Sequence, residues 1–125
     1  SPIVSGSQLT EATTFVSVGA TIINPDDLGF PNSDFTVEVI LQTTNPTYAA
    51  SFELFNLTEG VAVSHSAITT SSASATFISV TLSVGGSDLP NAQDNILEGR
   101  IKLATGAGAA DRAICKYAAV RSVPI

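Results

Sequence analysis

The sequence predicts an all-β fold, an antiparallel β-sandwich of seven or eight strands with jelly-roll-like connectivity. β-branched residues are abundant and helical periodicity is almost absent. Apolar and polar residues alternate with a period of two in several segments, which places each set on one side of a sheet. Turn-forming breaks separate these segments at short, regular intervals, as in sandwiches and jelly rolls. The 125 residues fit one domain that buries roughly two-thirds of its unfolded surface.

The first elements are an arm, a strand and a long loop. Residues 1–12 are polar and lack a firm pattern, so we expect an N-terminal arm that orders only on assembly, followed by a single sandwich domain over 13–125. Residues 24–34 contain two Pro, a Gly and several Asx residues, so they cannot form an interior strand. Between them, one apolar stripe predicts a strand; its members are Thr14, Val16, Val18, Ala20 and Ile22.

The middle of the chain shows the clearest alternation. Residues 51–57 predict a strand, with a tight turn at 58–60 and a second strand after it. In 35–43 Ile40 is the exception to the alternation. The residues that share the apolar faces of 35–43 and 75–84 are Phe35, Val37, Val39 and Leu41, and then Ile78, Val80, Leu82 and Val84. Most of the phenylalanines, Phe77 among them, fall in strands and are expected in the core.

The last quarter predicts two further strands. In 95–104 an apolar face opposes a charged one; their members are Leu97, Ile101 and Leu103, and then Glu98, Arg100 and Lys102. Residues 112–123 have two partly apolar faces, which indicates a central strand or one covered on both sides by a neighbouring subunit.

Composition limits the possible partners. A net charge of −6 argues against nucleic acid and anionic membranes, which attract clustered Lys and Arg, and no apolar run is long enough to span a bilayer. Charged residues make up only 13%, about half the usual share, which suits a surface covered by copies of the chain or by a partner. The alternative is a secreted β-domain with a Ser/Thr-rich exterior. The five basic residues alternate with apolar ones, so we expect them on the solvent face of two strands. The alternative is a basic patch that docks on an acidic partner surface. These residues are Arg100, Lys102, Arg112, Lys116 and Arg121.

Processing signals are sparse. No charged leader followed by an apolar segment is visible, so we expect no signal peptide. A first residue of Ser and the lack of Met fit removal of an initiator Met, although a processed precursor would look the same. The single Cys115 excludes an internal disulfide.

We expect no enzymatic activity and no cofactor. His65 would need a neighbouring serine and an orienting acid to serve a hydrolase, and no G-x-S-x-G segment exists, so a structural histidine is favoured. Cys115 lies in an apolar-patterned strand, which favours a buried, inert thiol.

Three features of the sequence are candidate binding or modification sites, and each also has a structural explanation. Asp26, Asp27 and Asp34 form a candidate calcium site in an oxygen-rich loop, but their spacing matches no EF-hand and turn formation explains them. The sequon at 56–58 matters only in a secretory pathway. Tyr48, in a loop, is a candidate platform for a sugar ring.

Residues 50–123 resemble a β-sandwich domain met in structural proteins of tailed bacteriophages. The resemblance consists of a hairpin, a Thr/Ser-rich strand, a charged strand that runs into a Gly-rich loop, and a closing strand with one Cys. The matching positions are Asn56, Thr58, Gly60, Thr69, Thr70, Ser71, Glu98, Arg100 and Cys115.

This resemblance implies a virion structural protein, made in the host cytoplasm and placed on the capsid surface. The expected role is capsid decoration (cement), in which the protein binds the major capsid protein, clamps coat subunits and stabilises the shell. The alternative is a receptor- or carbohydrate-binding domain of a tail fibre or baseplate. We expect a homo-oligomer, a trimer or a dimer. The residues expected to make these contacts are Ser1, Pro2, Ile3, Val4, Tyr48, Arg112, Lys116 and Arg121.

Overall fold

Ten β-strands and no helix make up the part of the chain that the computed structural model describes, residues 1–4, 6–26, 33–82, 88–90 and 93–124. The strands are β1 (Pro2–Val4), β2 (Gln8–Thr10), β3 (Val16–Ile23), β4 (Ser33–Thr43), β5 (Ala50–Asn56), β6 (Val61–Ala62), β7 (Ile68–Thr70), β8 (Thr76–Leu82), β9 (Asn95–Leu103) and β10 (Ala113–Pro124). Within these ranges no helix is long and apolar enough to cross a membrane.

The strands form two antiparallel sheets that pack face to face. The first sheet has the order β1-β10-β4-β8, with β2 also paired to β10; the second has the order β3-β9-β5-β6, with β7 also paired to β5. The predicted sandwich is therefore confirmed. The described residues contain ten strands rather than seven or eight because two positions are each filled by two short strands, β1 with β2 beside β10, and β6 with β7 beside β5.

Successive strands repeatedly cross from one sheet to the other. β3, β5 and β9 lie in the second sheet, whereas β4, β8 and β10 lie in the first. The predicted jelly-roll-like connectivity requires such crossings. The jelly-roll-like connectivity itself stays a prediction.

The core lies between the sheets and is built from the predicted apolar faces. The inward side chains of β4 and β9 are buried; they are Phe35, Val37, Val39 and Leu41 of β4, and Leu97, Ile101 and Leu103 of β9. In β8, Ile78, Val80 and Leu82 also point inward, while Val84 lies outside the described residues. Phe77 does not belong to the core: it is 57% exposed, because it has the opposite parity to Ile78 in the strand.

A β-bulge in β3 breaks the stripe that the sequence suggested. The register with β9 shifts between Ser17 and Gly19, and Gly19 has a φ of 149°. Since one extra residue reverses the faces of all that follow, Ile22 turns outward at 60% exposed and Ile23 turns inward at 3%. The expectation that Ala20 and Ile22 share a face with Val16 as a core stripe is therefore wrong.

A second bulge explains the two apolar faces of β10. The register with β4 shifts between Cys115 and Tyr117, so Lys116 is the extra residue. Cys115 is inward before the bulge and Ala118 is inward after it. Because β10 pairs with β1 and β2 on one side and β4 on the other, the predicted central strand is confirmed.

The N-terminal segment is part of the first sheet rather than a separate arm. β1 and β2 both pair with β10, and the amino group of Ser1 donates a hydrogen bond to the carbonyl oxygen of Val120 at 2.6 Å. Val4 is buried in the core. Gly19 and Gly99 face each other in the register and leave room for Ile3, since a Cβ on Gly19 would lie 2.3 Å from the carbonyl oxygen of Ile3. Burial of Val4 and backbone pairing therefore hold the expected arm in place.

Candidate interaction surface

The outer face of the first sheet carries a continuous group of apolar side chains. We name it the apolar band; its members are Leu9, Ile40, Phe77, Ile114 and Tyr117. Leu9 is 61% exposed, and the side chains of Ile40, Ile114 and Tyr117 are half-buried by their neighbours. Exposed apolar side chains that are contiguous, unlike scattered ones, mark contact surfaces.

Strand register creates the band. Tyr117 pairs with Ile40 and Ile40 pairs with Phe77, so three apolar side chains stand in one row across β10, β4 and β8. Leu9 and Ile114 pair in the adjacent row, across β2 and β10. Paired side chains lie roughly 4.5–5.5 Å apart, so each row is one contiguous strip.

Charged groups border the band on β10 and β4. Arg121 Nη1 lies 3.3 Å from Glu38 Oε2, and Lys116 is exposed at the bulge beside Tyr117. Among the described residues Lys116 makes no ion pair. The resulting surface has an apolar centre with a charged rim, the usual arrangement of protein interfaces.

Of the eight residues expected to make contacts, Pro2, Lys116 and Arg121 lie at or beside this face. Pro2 is exposed and pairs with Ala119. Val4, in contrast, cannot contact a partner because it is buried, and Ser1 and Ile3 are engaged by β10 and by the slot at Gly19.

Arg112 and Tyr48 lie away from the band. Arg112 Nη2 is 3.1 Å from Glu11 Oε2, and its Nη1 donates to the carbonyl oxygens of Ala109 and Asp111. Tyr48 is half-buried, with its ring against Gly106, 3.5 Å from the position of a Cβ there. The ring therefore packs against the neighbouring loop, which removes part of the open platform that a sugar would need.

The basic residues do not form one patch. Arg100 and Lys102 lie on the outer face of the second sheet, over the rings of Phe55 and Phe15, at 3.8 Å and 4.6 Å from the ring centroids. Arg100 also forms an ion pair with Glu98. The other three cations lie on or next to β10 in the first sheet, so the alternative of a single basic patch is wrong.

His65 and Asp88 form a pair at a shallow cleft of about 140 Å³ lined by Asn56, Glu59, Ser64, Asp88 and Pro90. His65 Nδ1 lies 2.9 Å from Asp88 Oδ1; the carboxylate is buried and the imidazole is 73% exposed. His65 has a φ of 66°, a left-handed conformation uncommon for residues other than Gly.

A histidine oriented by a buried acid is part of a hydrolase triad, and the remaining part is a hydroxyl within reach of Nε2. Among the described residues no serine hydroxyl bonds that atom. The buried Ser66 hydroxyl instead donates to the carbonyl oxygen of Val63 at 2.7 Å and accepts from the amide of Leu54 at 3.0 Å. The pair therefore fixes the loop after β6 to the segment at Asp88.

The sequon asparagine is a structural residue. Asn56 is 2% exposed, donates from Nδ2 to Asn95 Oδ1 at 3.1 Å, and accepts from the amide of Glu59 at 3.1 Å. Thr58 Oγ1 accepts from the amide of Ile96 and donates to the carbonyl oxygen of Asp94, both at 3.0 Å. In the folded state the Asn56 amide is therefore inaccessible to an oligosaccharide.

Cys115 and the acidic loop complete the predicted sites. Cys115 is buried, and desolvation raises the pKa of its thiol from 9.0 to about 11, with a backbone hydrogen bond at Tyr117 opposing part of the rise. Asp27 lies outside the described residues, Asp26 is exposed, and Asp34 is half-buried at the start of β4. Within the described ranges no group of three or more His, Cys, Asp or Glu side chains could hold a metal ion.

No protein-family model matches this chain, and no curated protein matches it either.

The apolar band is the feature that sequence reasoning missed. Its one visible signal was Ile40, the apolar exception on the polar face of β4. Its partners could be found only with the strand order and the bulge at Lys116, because a shift by one residue moves Tyr117 from one face to the other.

Proposed function

We propose that this chain is a virion structural protein of the capsid-decoration (cement) type, which binds the outer capsid surface and clamps neighbouring coat subunits. The apolar band on the outer face of the first sheet carries the proposal, because it gives the molecule a ready contact surface. The sequence resemblance to structural domains of tailed bacteriophages supplies the virion setting.

Two further properties support a role in assembly. Charged residues are few, which suits a molecule whose surface is largely covered in its working state. The sandwich is rigid where the band lies, since β10 and β4 pair over eleven residue pairs. A rigid, preformed surface loses little conformational entropy on binding.

The mechanism is mechanical. A clip that contacts several coat subunits at once binds multivalently, and its overall affinity far exceeds that of one contact. Separation of the coat subunits would then have to break these contacts. The major capsid protein is the proposed partner, and no catalytic step is involved.

The test is the copy number of this chain in purified virus particles, measured by quantitative mass spectrometry against the major coat protein. A decoration protein is expected in a fixed ratio to the coat protein. Like other shell components, it should be present at on the order of hundreds of copies per particle. A handful of copies would contradict decoration and favour the alternative, a receptor- or carbohydrate-binding domain of the tail. Absence from particles would contradict both.

A further inference from the structure

The edge strand β8 is open for pairing. Among the described residues β8 pairs only with β4, so one side of its backbone has no neighbouring strand. An unpaired edge presents a row of N–H and C=O groups that can pair with another strand.

The edge also lacks the protection that free edges normally carry. Natural edge strands are blunted by charged side chains, Pro or bulges. β8 has the sequence TFISVTL, with no charged residue and no Pro, and its register with β4 has no shift. The whole stretch 60–87 contains no Asp, Glu, Lys or Arg. The described strand β8 therefore carries none of these three protective features.

We infer that β8 is a self-association site, at which two copies of this chain pair their β8 strands antiparallel about a two-fold axis at Ser79. The first sheets of the two copies then join into one continuous sheet. This inference does not depend on a virion role, since it concerns the purified chain alone.

A second copy fits this edge because the strand is complementary to itself. An axis at Ser79 places Ser79 opposite Ser79, Ile78 opposite Val80, and Phe77 opposite Thr81. Outward side chains then meet outward ones: Phe77, Ser79 and Thr81 are all exposed. Inward side chains meet inward ones, which matches the faces of the two sheets.

The partial burial of the inward side chains of β8 and the lack of charge on this strand also favour pairing between two copies of β8. Ile78 and Val80 pack against the core but are only partly buried. In the part of the chain that the structure describes, no strand lies on their open side. Pairing would complete their burial. A strand without charge has no repulsion across the axis, although each copy carries a net charge of −6.

The surface area that the two copies bury sets the expected affinity of the dimer. A seven-residue strand is roughly 24 Å long and a two-sheet sandwich with its side chains roughly 20 Å thick, so two copies bury about 1,000 Å², at the lower end for a specific interface. We therefore expect a reversible dimer with a Kd of roughly 1–100 μM.

The first experiment is sedimentation equilibrium of the purified chain, with Ser79→Lys as the test variant and Ser17→Lys as its matched control. Ser79 is exposed, so the Ser79→Lys substitution is compatible with the folded monomer. In the dimer the two introduced charges would lie opposite each other across the two-fold axis and repel each other. Ser17 is an exposed residue of β3, an edge strand of the other sheet. Ser79→Lys is expected to raise the dimer Kd at least about tenfold, and Ser17→Lys to leave it unchanged.

Cross-linking tests the axis directly and does not depend on the lysine variant. Paired residues of antiparallel strands have Cα atoms about 4.5–5.5 Å apart, within the range that a disulfide needs. Ser79→Cys should therefore form a covalent dimer with oxidised glutathione as the oxidant, and Ser17→Cys should not. Cys115 is buried in both.

Three results would overturn the inference: a wild type that stays monomeric to about 500 μM, a dimer that Ser79→Lys leaves intact, or equal cross-linking of the two cysteine variants. A dimer at β8 in a chain absent from virus particles would contradict the decoration role and leave this inference standing. A chain that is monomeric but present at hundreds of copies per particle would contradict this inference and leave the decoration role standing.

Discussion

At the scale of single residues, Asn95 is the polar residue on which the end of the second sheet depends. It is fully buried, accepts from Asn56 and from Gln93, whose Nε2 lies 2.9 Å from its Oδ1, and donates to the carbonyl oxygens of Ile23 and Pro90. This one amide joins β3, β5, β9 and the segment before β9. A buried amide costs little while all its partners are present, and its loss leaves several of them unsatisfied.

Replacing Asn95 with Leu is therefore expected to lower the free energy of unfolding by about 2–4 kcal/mol. Urea unfolding followed by circular dichroism measures it. Asn24→Ala serves as the control, because the amide of Asn24 bonds Asp94 in an exposed position at 3.3 Å, and the change should stay within about 0.5 kcal/mol. If both substitutions lowered the free energy of unfolding equally, the buried hydrogen-bond network of Asn95 would not be the cause of the loss.

The thiol of Cys115 makes stability fall at high pH. Burial raises the pKa from 9.0 to about 11, so between these values the unfolded chain releases the thiol proton and the folded chain keeps it. Stability then falls as pH rises from 9 to 11, and below pH 9 the thiol has no effect because it is protonated in both states. The rise of the thiol pKa from 9.0 to about 11 corresponds to a loss of about 2 kcal/mol of unfolding free energy by pH 11.

The measurement compares the unfolding free energy of the wild type with that of Cys115→Ala in urea at pH 8 to 11. The difference in unfolding free energy between the two proteins should narrow by that amount as the pH rises. Parallel curves would mean that the thiol is not buried as described. In the folded wild type the thiol should also resist alkylation at pH 8 and react once urea unfolds the chain.

At the scale of the elements, the two bulges decide which side chains face outward. Sequence alternation predicted the faces of β4, β8 and β9, because the pairing of β4 with β8 and the pairing of β9 with β5 have no register shift. It failed in β3, where the bulge at Gly19 reverses the faces of Ile22 and Ile23. A bulge depends on the partner strand, so alternation within one strand cannot reveal it.

Deleting Lys116 tests this dependence. Without the extra residue, Cys115 and Tyr117 become consecutive and stay opposite Leu41 and Ile40, so the pairing becomes regular and Cys115 and Ala118 both stay inward. We therefore expect the deletion variant to fold, with a loss of less than about 3 kcal/mol. Lys116→Ala keeps the bulge and removes only an exposed side chain, so it should change stability by less than about 0.5 kcal/mol. Thermal unfolding of both variants is the measurement. Failure of the deletion variant to fold, with Lys116→Ala unaffected, would show that the packing of β10 requires the bulge.

The N-terminal strands illustrate another limit of sequence reasoning. Residues 1–12 carry no periodic signal because β1 and β2 contain only three residues each and are separated by a break. Their order comes from long-range pairing with β10, between 103 (Thr10 to Ala113) and 117 (Pro2 to Ala119) positions away. Removing them would therefore uncover β10 and the core at Val4, rather than free a loose contact arm.

At the scale of the whole molecule, the fold class followed from the sequence and the contact surface did not. Period-two alternation and regular breaks are local, and they suffice for an all-β sandwich. A surface such as the apolar band joins residues from β2, β4, β8 and β10, and these meet only once the strand order is known. The low charge content did indicate that some surface is covered, without showing which.

The pairing of β1 with β10 also determines how the molecule responds to force. Pro2 lies opposite Ala119, and the Ser1 amino group bonds Val120, so both ends of the chain leave from the same end of one antiparallel pair. A load applied at the two termini would break these hydrogen bonds one after another, as in unzipping. A load applied across the sheet faces would be shared by all strands at once. We therefore expect the sandwich to unfold at a lower force when pulled by its ends than when the load is applied across its faces.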